Sequence, residues 1–189
     1  MTVDARNLTN QKLYFAHVQL AKLKLLEANN SNYLERQACV ESCFMQLFFA
    51  YRALVLEIAD YYGLELSLPL VGLDSSNVFL AQLENALVAK NFSSPELIYL
   101  KQLASDKDSF LSVLFMRFAQ SVNGGLSCES IGDGEHLAID PSGSKQKKIQ
   151  LIEMDSKKIS AVDFFSEQQL LHNGLKTLVD EFRDALQEY

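Results

Sequence analysis

Few polar residues in this chain have the types and spacing to do chemistry, and the run Thr9-Asn10-Gln11-Lys12 comes first among them. An apolar periodicity beginning at Leu13 implies that this run opens a helix, with Thr9 as its cap and Asn10, Gln11 and Lys12 in the first turn. Unpaired backbone N–H groups in a first turn favour an anion, so a phosphate or carboxylate ligand is the chemistry on offer. A solvated, capped helix start is the plainer expectation, because most such starts hold no ligand. Glu41, Arg52, Glu57 and Asp60 form a second group, set in an otherwise apolar segment. A buried charge needs a partner, and Arg52 and Glu57 lie five apart rather than four, so partners must come from other helices. The simpler account is a narrow stripe facing solvent. Asn10, Gln11, Lys12, Arg52 and Glu57 are therefore the candidate binding residues for a small molecule or anion.

Metal and nucleophile chemistry find less support. Cys39 and Cys43 share a helix face, but a zinc site needs four ligands, and His17, His136 and His172 have no paired spacing with them. Cysteine in an apolar helix is usually a small core residue. A di-iron bundle requires Glu three residues before His, which occurs nowhere; Asp133-Gly134-Glu135-His136 is the nearest run, in a glycine-rich stretch. Phosphate-binding glycine loops and the nucleophile elbow are absent. We expect no metal, no cofactor and no catalytic residue. Lys145, Lys147, Lys148, Lys157 and Lys158, against Glu153 and Asp155, make a locally basic patch that reads as a solvated connection before it reads as a nucleic-acid contact.

The elements that must position these residues are helical. The chain has 189 residues, of which 48% are hydrophobic, enough to build a core without staples. Seventeen basic and 24 acidic residues give a net charge of −7, which argues against a general nucleic-acid binder. Three cysteines are too few for a disulfide scaffold, no export signal is visible, and the apolar run 38–59 is broken by charge, so a cytoplasmic protein without membrane insertion is expected.

Periodicity predicts a helix over 10–28, carrying the apolar series Tyr14, Val18, Ala21, Leu25, Ala28 beside Leu13, Ala16, Leu20, Leu23. A second helix is capped by Asn32 and runs to Gly63, apolar almost all round at its middle. An extended connection over 64–73 leads to a helix from Ser75 or Ser76 to about Lys90. Another is capped by Ser93, with Glu96 in capping-box spacing, and reaches Ala104. A turn at 105–108 precedes an apolar face from Phe110 to Asn123. Five of the eight glycines fall within 124–143, marking 124–159 as a flexible insertion with a weak strand signal at 149–154. Leu171, Leu175, Leu178, Phe182 and Ala185 define a last helix over 164–188, with Gly174 inside it.

The run Thr9 to Ala16 (TNQKLYFA) resembles the opening motif of an uncharacterised family of short gammaproteobacterial proteins, a domain of unknown function. Leu54 to Pro69, Ser94 to Leu97 and Leu175 to Leu186 are similar to it as well. The resemblance implies an all-helical cytosolic protein and brings no activity, cofactor or catalytic residue.

The expected fold is thus all-α: an antiparallel bundle of five or six helices around one long central helix. Residues 1–123 form the bundle, 124–159 the insertion, and 160–189 a helix that closes the core or forms a dimer seam. The expected function is a non-enzymatic interaction or scaffold protein using a helical surface, with a protein partner or self-association. A small-molecule or anion-binding module near the first helix start and the polar stripe of the second is the alternative.

Overall fold

A helix that is apolar on every side has to be covered on every side, and residues 33–61 are such a helix. In the computed structural model, which describes residues 4–29, 31–66, 75–122 and 164–187, six helices follow in order. They are α1 (Ala5–Ala28), α2 (Tyr33–Tyr61), α3 (Ser75–Ala89), α4 (Pro95–Ser105), α5 (Phe110–Val122) and α6 (Phe164–Gln187), with no strand among the described residues. The fold is all-α. The glycine-rich insertion, its strand signal, the lysine patch, most of the 64–73 connection and the Asp133–His136 run lie outside the described residues.

Side chains from Cys39 to Ala59 bury α2 against α1, α3, α5 and α6. Phe48 stacks on Phe118 with ring centroids 3.7 Å apart, and Tyr51 meets Phe115 edge-on at 4.9 Å. By length and composition α2 could also cross a membrane, yet its apolar surface here is taken up by the other helices.

The helix ends follow local chemistry. Asn32 accepts from the Leu34 amide at 3.0 Å, and α2 stops where Gly63 takes φ +62. There the Leu64 amide donates back to Ala59 O at 2.9 Å and the Gly63 amide to Asp60 O at 3.0 Å. Two starts differ from expectation. α1 begins at Ala5, capped by Asp4, because Ala5 and Thr9 continue the buried face that Ala16, Leu20 and Leu23 carry. The cap of α4 is Ser94 rather than Ser93: its hydroxyl oxygen accepts from the Leu97 amide at 3.2 Å, and Ser93 is exposed.

Antiparallel packing brings distant residues together. Cys39 and Cys43 face Gln19 and Ala16, so α1 runs opposite to α2. On α6, Leu171, Leu175, Leu178 and Phe182 are buried, so this helix closes the core. At Gly174 the Phe110 ring of α5 lies close: a Cβ there would sit 2.8 Å from its Cγ. Glycine inside α6 is therefore a packing requirement.

The broad apolar stripe of α1 divides. Ala16, Leu20 and Leu23 enter the core, whereas Tyr14 (63% exposed), Val18 (43%) and Leu25 (64%) face solvent together with Ala21. The two halves should respond differently to truncation. Leu20→Ala is expected to cost about 2–5 kcal/mol in urea denaturation. Leu25→Ala, on the open side, is expected to change stability by less than about 0.5 kcal/mol. Equal losses would show that both halves of the stripe are packed.

Candidate functional site

Polar side chains converge at one end of the bundle, where the start of α1 meets the ends of α2 and α6. Arg183 grips Glu57 in a fork: Nε donates to Oε1 at 2.7 Å and Nη2 to Oε2 at 3.0 Å. Nη1 of the same guanidinium donates to Asn10 Oδ1 at 2.8 Å, and Nη2 also approaches Arg6 O at 3.4 Å. Thr9, wholly buried, places its hydroxyl 3.1 Å from Glu57 Oε2 and 3.0 Å from Ala5 O, with one proton to donate between them. The pair is largely dehydrated, with 14% of Arg183 and 12% of Glu57 exposed. Planar two-point pairing of this kind fixes both distance and orientation.

Asn10 and Glu57, two of the candidate binding residues, are thus brought together through Arg183. The others contribute no bond to this cluster. Gln11 is exposed, and Lys12 is half-buried with its ammonium 5.6 Å from the Phe15 ring centre and 5.5 Å from that of Phe49. Arg52 is half-buried on α2, where burial lowers its pKa. The first-turn anion reading does not survive the earlier helix start: Asn10, Gln11 and Lys12 lie beyond the first turn, where backbone N–H groups are already paired. Glu41, Arg52, Glu57 and Asp60 do not form one solvent stripe either. Glu57 turns toward α6, while Glu41 accepts from Gln37 Nε2 at 3.0 Å on its own helix.

Both Glu57 oxygens accept hydrogen bonds from Arg183, and Oε2 is also within reach of the Thr9 hydroxyl, so the cluster's polar groups are directed at one another. The cluster therefore works as a clamp joining three helix ends. Beside it Asp60 has its pKa raised by burial and by the carboxylates of Asp4 and Glu57. A second polar link joins the end of α2 to the start of α4: Tyr62 and Ser94 hydroxyls both donate to Glu96 Oε2, at 2.9 and 2.6 Å. Two shallow depressions are lined by described residues. One lies along α6 around Phe165, Gln169 and Asn173, and the other between α3 and α4 around Glu84, Leu97 and Lys101. Neither includes Asn10, Gln11, Lys12, Arg52 or Glu57.

The thiols of Cys39 and Cys43 are held in their neutral form. Cys43 is pushed up to about 12 by burial and by neighbouring Cys39, whose own thiol is raised by burial. Their S–H groups donate to Ala16 O and Gln19 O, at 3.7 and 3.1 Å. Tyr51 is buried with no partner for its hydroxyl among the described residues, and burial raises its pKa as well. No three His, Cys, Asp or Glu side chains converge on a metal-sized space among the described residues.

One pairing had no signal in the sequence. His17 of α1 and His172 of α6, 155 positions apart, meet with ring centroids 5.8 Å apart. His172 is buried and His17 exposed. Burial lowers the His172 pKa most, and His17 and Lys176 lower it further, while Asn173 and the Leu13 backbone pull it up.

The model of a family of unknown function (DUF6586) matches residues 1–189. The chain belongs to this family. No curated protein and no solved structure matches it. Membership accordingly assigns no activity to the clamp or to the histidine pair, and the function of the chain is unknown.

Both polar features have measurable consequences. Glu57→Gln and Arg183→Gln should each cost about 2–3 kcal/mol, and the double variant should fall short of the sum by about 1–2 kcal/mol. Strict additivity in denaturant titrations would show that the pair is not coupled. For His172 the folded pKa lies below the unfolded 6.5, so the unfolded chain takes up a proton first as pH falls. Its neutral form thus supports stability above pH 6.5, and that support is lost as pH drops through the folded value. His172→Asn should lose less stability than the parent between about pH 7 and about pH 5, and an unchanged slope would assign the acid sensitivity elsewhere.

Proposed function

We propose that the protein is a non-enzymatic interaction module, working in the cytoplasm, that engages another protein through the outer face of α1. One observation carries this reading: Tyr14, Val18, Ala21 and Leu25 recur at steps of four and three on one helix and are all exposed. Single exposed apolar residues are ordinary on a protein surface, but a continuous ridge of them is a feature of binding faces. The mutual satisfaction of Arg183, Glu57, Asn10 and Thr9 supports a structural role for the polar cluster rather than a catalytic one. We also take Thr9 to Ala16 as the opening motif of the family and its source as gammaproteobacterial. This run supplies two clamp residues, Thr9 and Asn10, the core residue Ala16 and the exposed ridge residue Tyr14, so it serves both the fold and the proposed binding face.

A photocrosslinking phenylalanine analogue in place of Leu25, irradiated in the native cells, tests the reading. A discrete protein adduct is expected, lost when Val18→Asp is added, and its mass distinguishes a second copy from another protein. The same probe at Val88, equally open on α3, should give none. Matching adducts at both positions would overturn the assignment of α1 as the binding face.

A further inference from the structure

We infer that the occupant of the outer face of α1 is an acidic amphipathic helix from a partner protein. The inference rests on the interaction reading above and adds the chemistry of what binds. Tyr14, Val18, Ala21, Leu25 and Ala28 step by four, three, four and three, the alternation of the a and d positions of a coiled coil. From Tyr14 to Leu25 the ridge is about 16 Å long and one helix wide, the size of a helix-on-helix contact rather than of a broad surface. Ala21 is its low point, between Val18 and Leu25, and leaves room for a large aliphatic side chain from the facing helix.

Charge identifies the partner further. Between Ala5 and Leu26, α1 carries Arg6, Lys12, Lys22 and Lys24 and no carboxylate, within a chain whose net charge is −7. His17 and Lys24 flank the ridge on the side of α6, with His17 against His172 and the Lys24 ammonium 5.8 Å from the centre of the Phe165 ring. Lys22, also exposed, flanks it on the opposite side by helical geometry. A helix seated on the ridge meets positive charge along both borders, and acidic residues at its own flanking positions complement it.

The alternatives fit less well. A second copy docked by the same face would set Lys22, Lys24 and His17 against residues of their own kind, with no carboxylate on this part of α1 to answer them. An anionic bilayer calls for a wider apolar face, with more cations than Lys22 and Lys24 supply beside a ridge one helix wide.

The test uses the full chain and a fluorescent helical peptide of about 18 residues, with Leu at the seam positions and Glu at the flanking ones. A twin peptide carries Lys in place of Glu, and anisotropy reads binding. The acidic peptide should bind at least about tenfold more tightly than its twin, and weaken several-fold in about 0.5 M NaCl. Leu25→Asp should abolish binding, and Lys22→Glu with Lys24→Glu should reverse the preference toward the basic twin, which loss of folding would not produce. Equal binding of the two peptides overturns the proposal. So does failure to bind the acidic peptide while the protein self-associates, or binds phosphatidylcholine vesicles with about 30% phosphatidylserine, in a manner that Leu25→Asp removes. Self-association leaves the interaction reading in place, whereas vesicle binding overturns that reading as well. If Leu25→Asp alters none of peptide binding, self-association and vesicle binding, both readings fall.

Discussion

Everything in this fold answers the demand of α2 for cover. Its middle, Cys43 to Tyr51, has large apolar side chains at nearly every angle around the helix axis, so no single neighbour can remove them all from water. α1 and α6 pack on it from one side, while α5 and α3 supply further cover. The aromatic cluster of Phe48, Tyr51, Phe79, Phe115 and Phe118 fills the space where these helices meet. Burial of this kind is strong but has little directional preference, and it would tolerate helices that slide along or rotate about one another.

Direction comes from a few polar contacts at the margins. The Arg183–Glu57 fork, together with Asn10 and Thr9, accepts one relative placement of α1, α2 and α6, because a guanidinium and a carboxylate match in plane and at short range. Further along, the Gln168 amide nitrogen donates to Val40 O at 3.2 Å and ties α6 to α2 a second time. Just past the end of α2 Tyr62 and Ser94 meet on Glu96. These contacts add less energy than the core does and more specificity.

Helix number, helix order and the all-α class were legible because apolar spacing and glycine or proline punctuation are local signals. Asn32 and Gly63 announce the ends of α2 by residue type alone. The start of α1 was not legible: Thr9 looks like a cap, and only a carboxylate arriving from α2 shows that its hydroxyl serves the interior. Ser93 and Ser94 are equally good caps on paper, and burial beside Tyr62 and Glu96 selects the second. Asn10 and Glu57 could be named as polar residues of interest, but Arg183, which joins them, lies 126 positions beyond Glu57 and has no spacing relation to either. Nor can periodicity say which half of a broad stripe stays wet. That is decided by how many helices are available to cover α1, and among the described residues only α2 and α6 pack closely on it.

The join between α5 and α6 has its own consequence. Arg117 holds Glu167 at 2.8 Å, and two helical turns away Phe110 lies over Gly174, so matched pairs stand seven residues apart on each helix. A slip of one residue would separate the charges and drive a Cβ into the ring at once. The alignment of the last helix is therefore written into its own contacts and does not depend on how much chain separates it from α5. Two contacts seven residues apart thus act as a vernier, setting the register of α6 against α5 from within the pair itself.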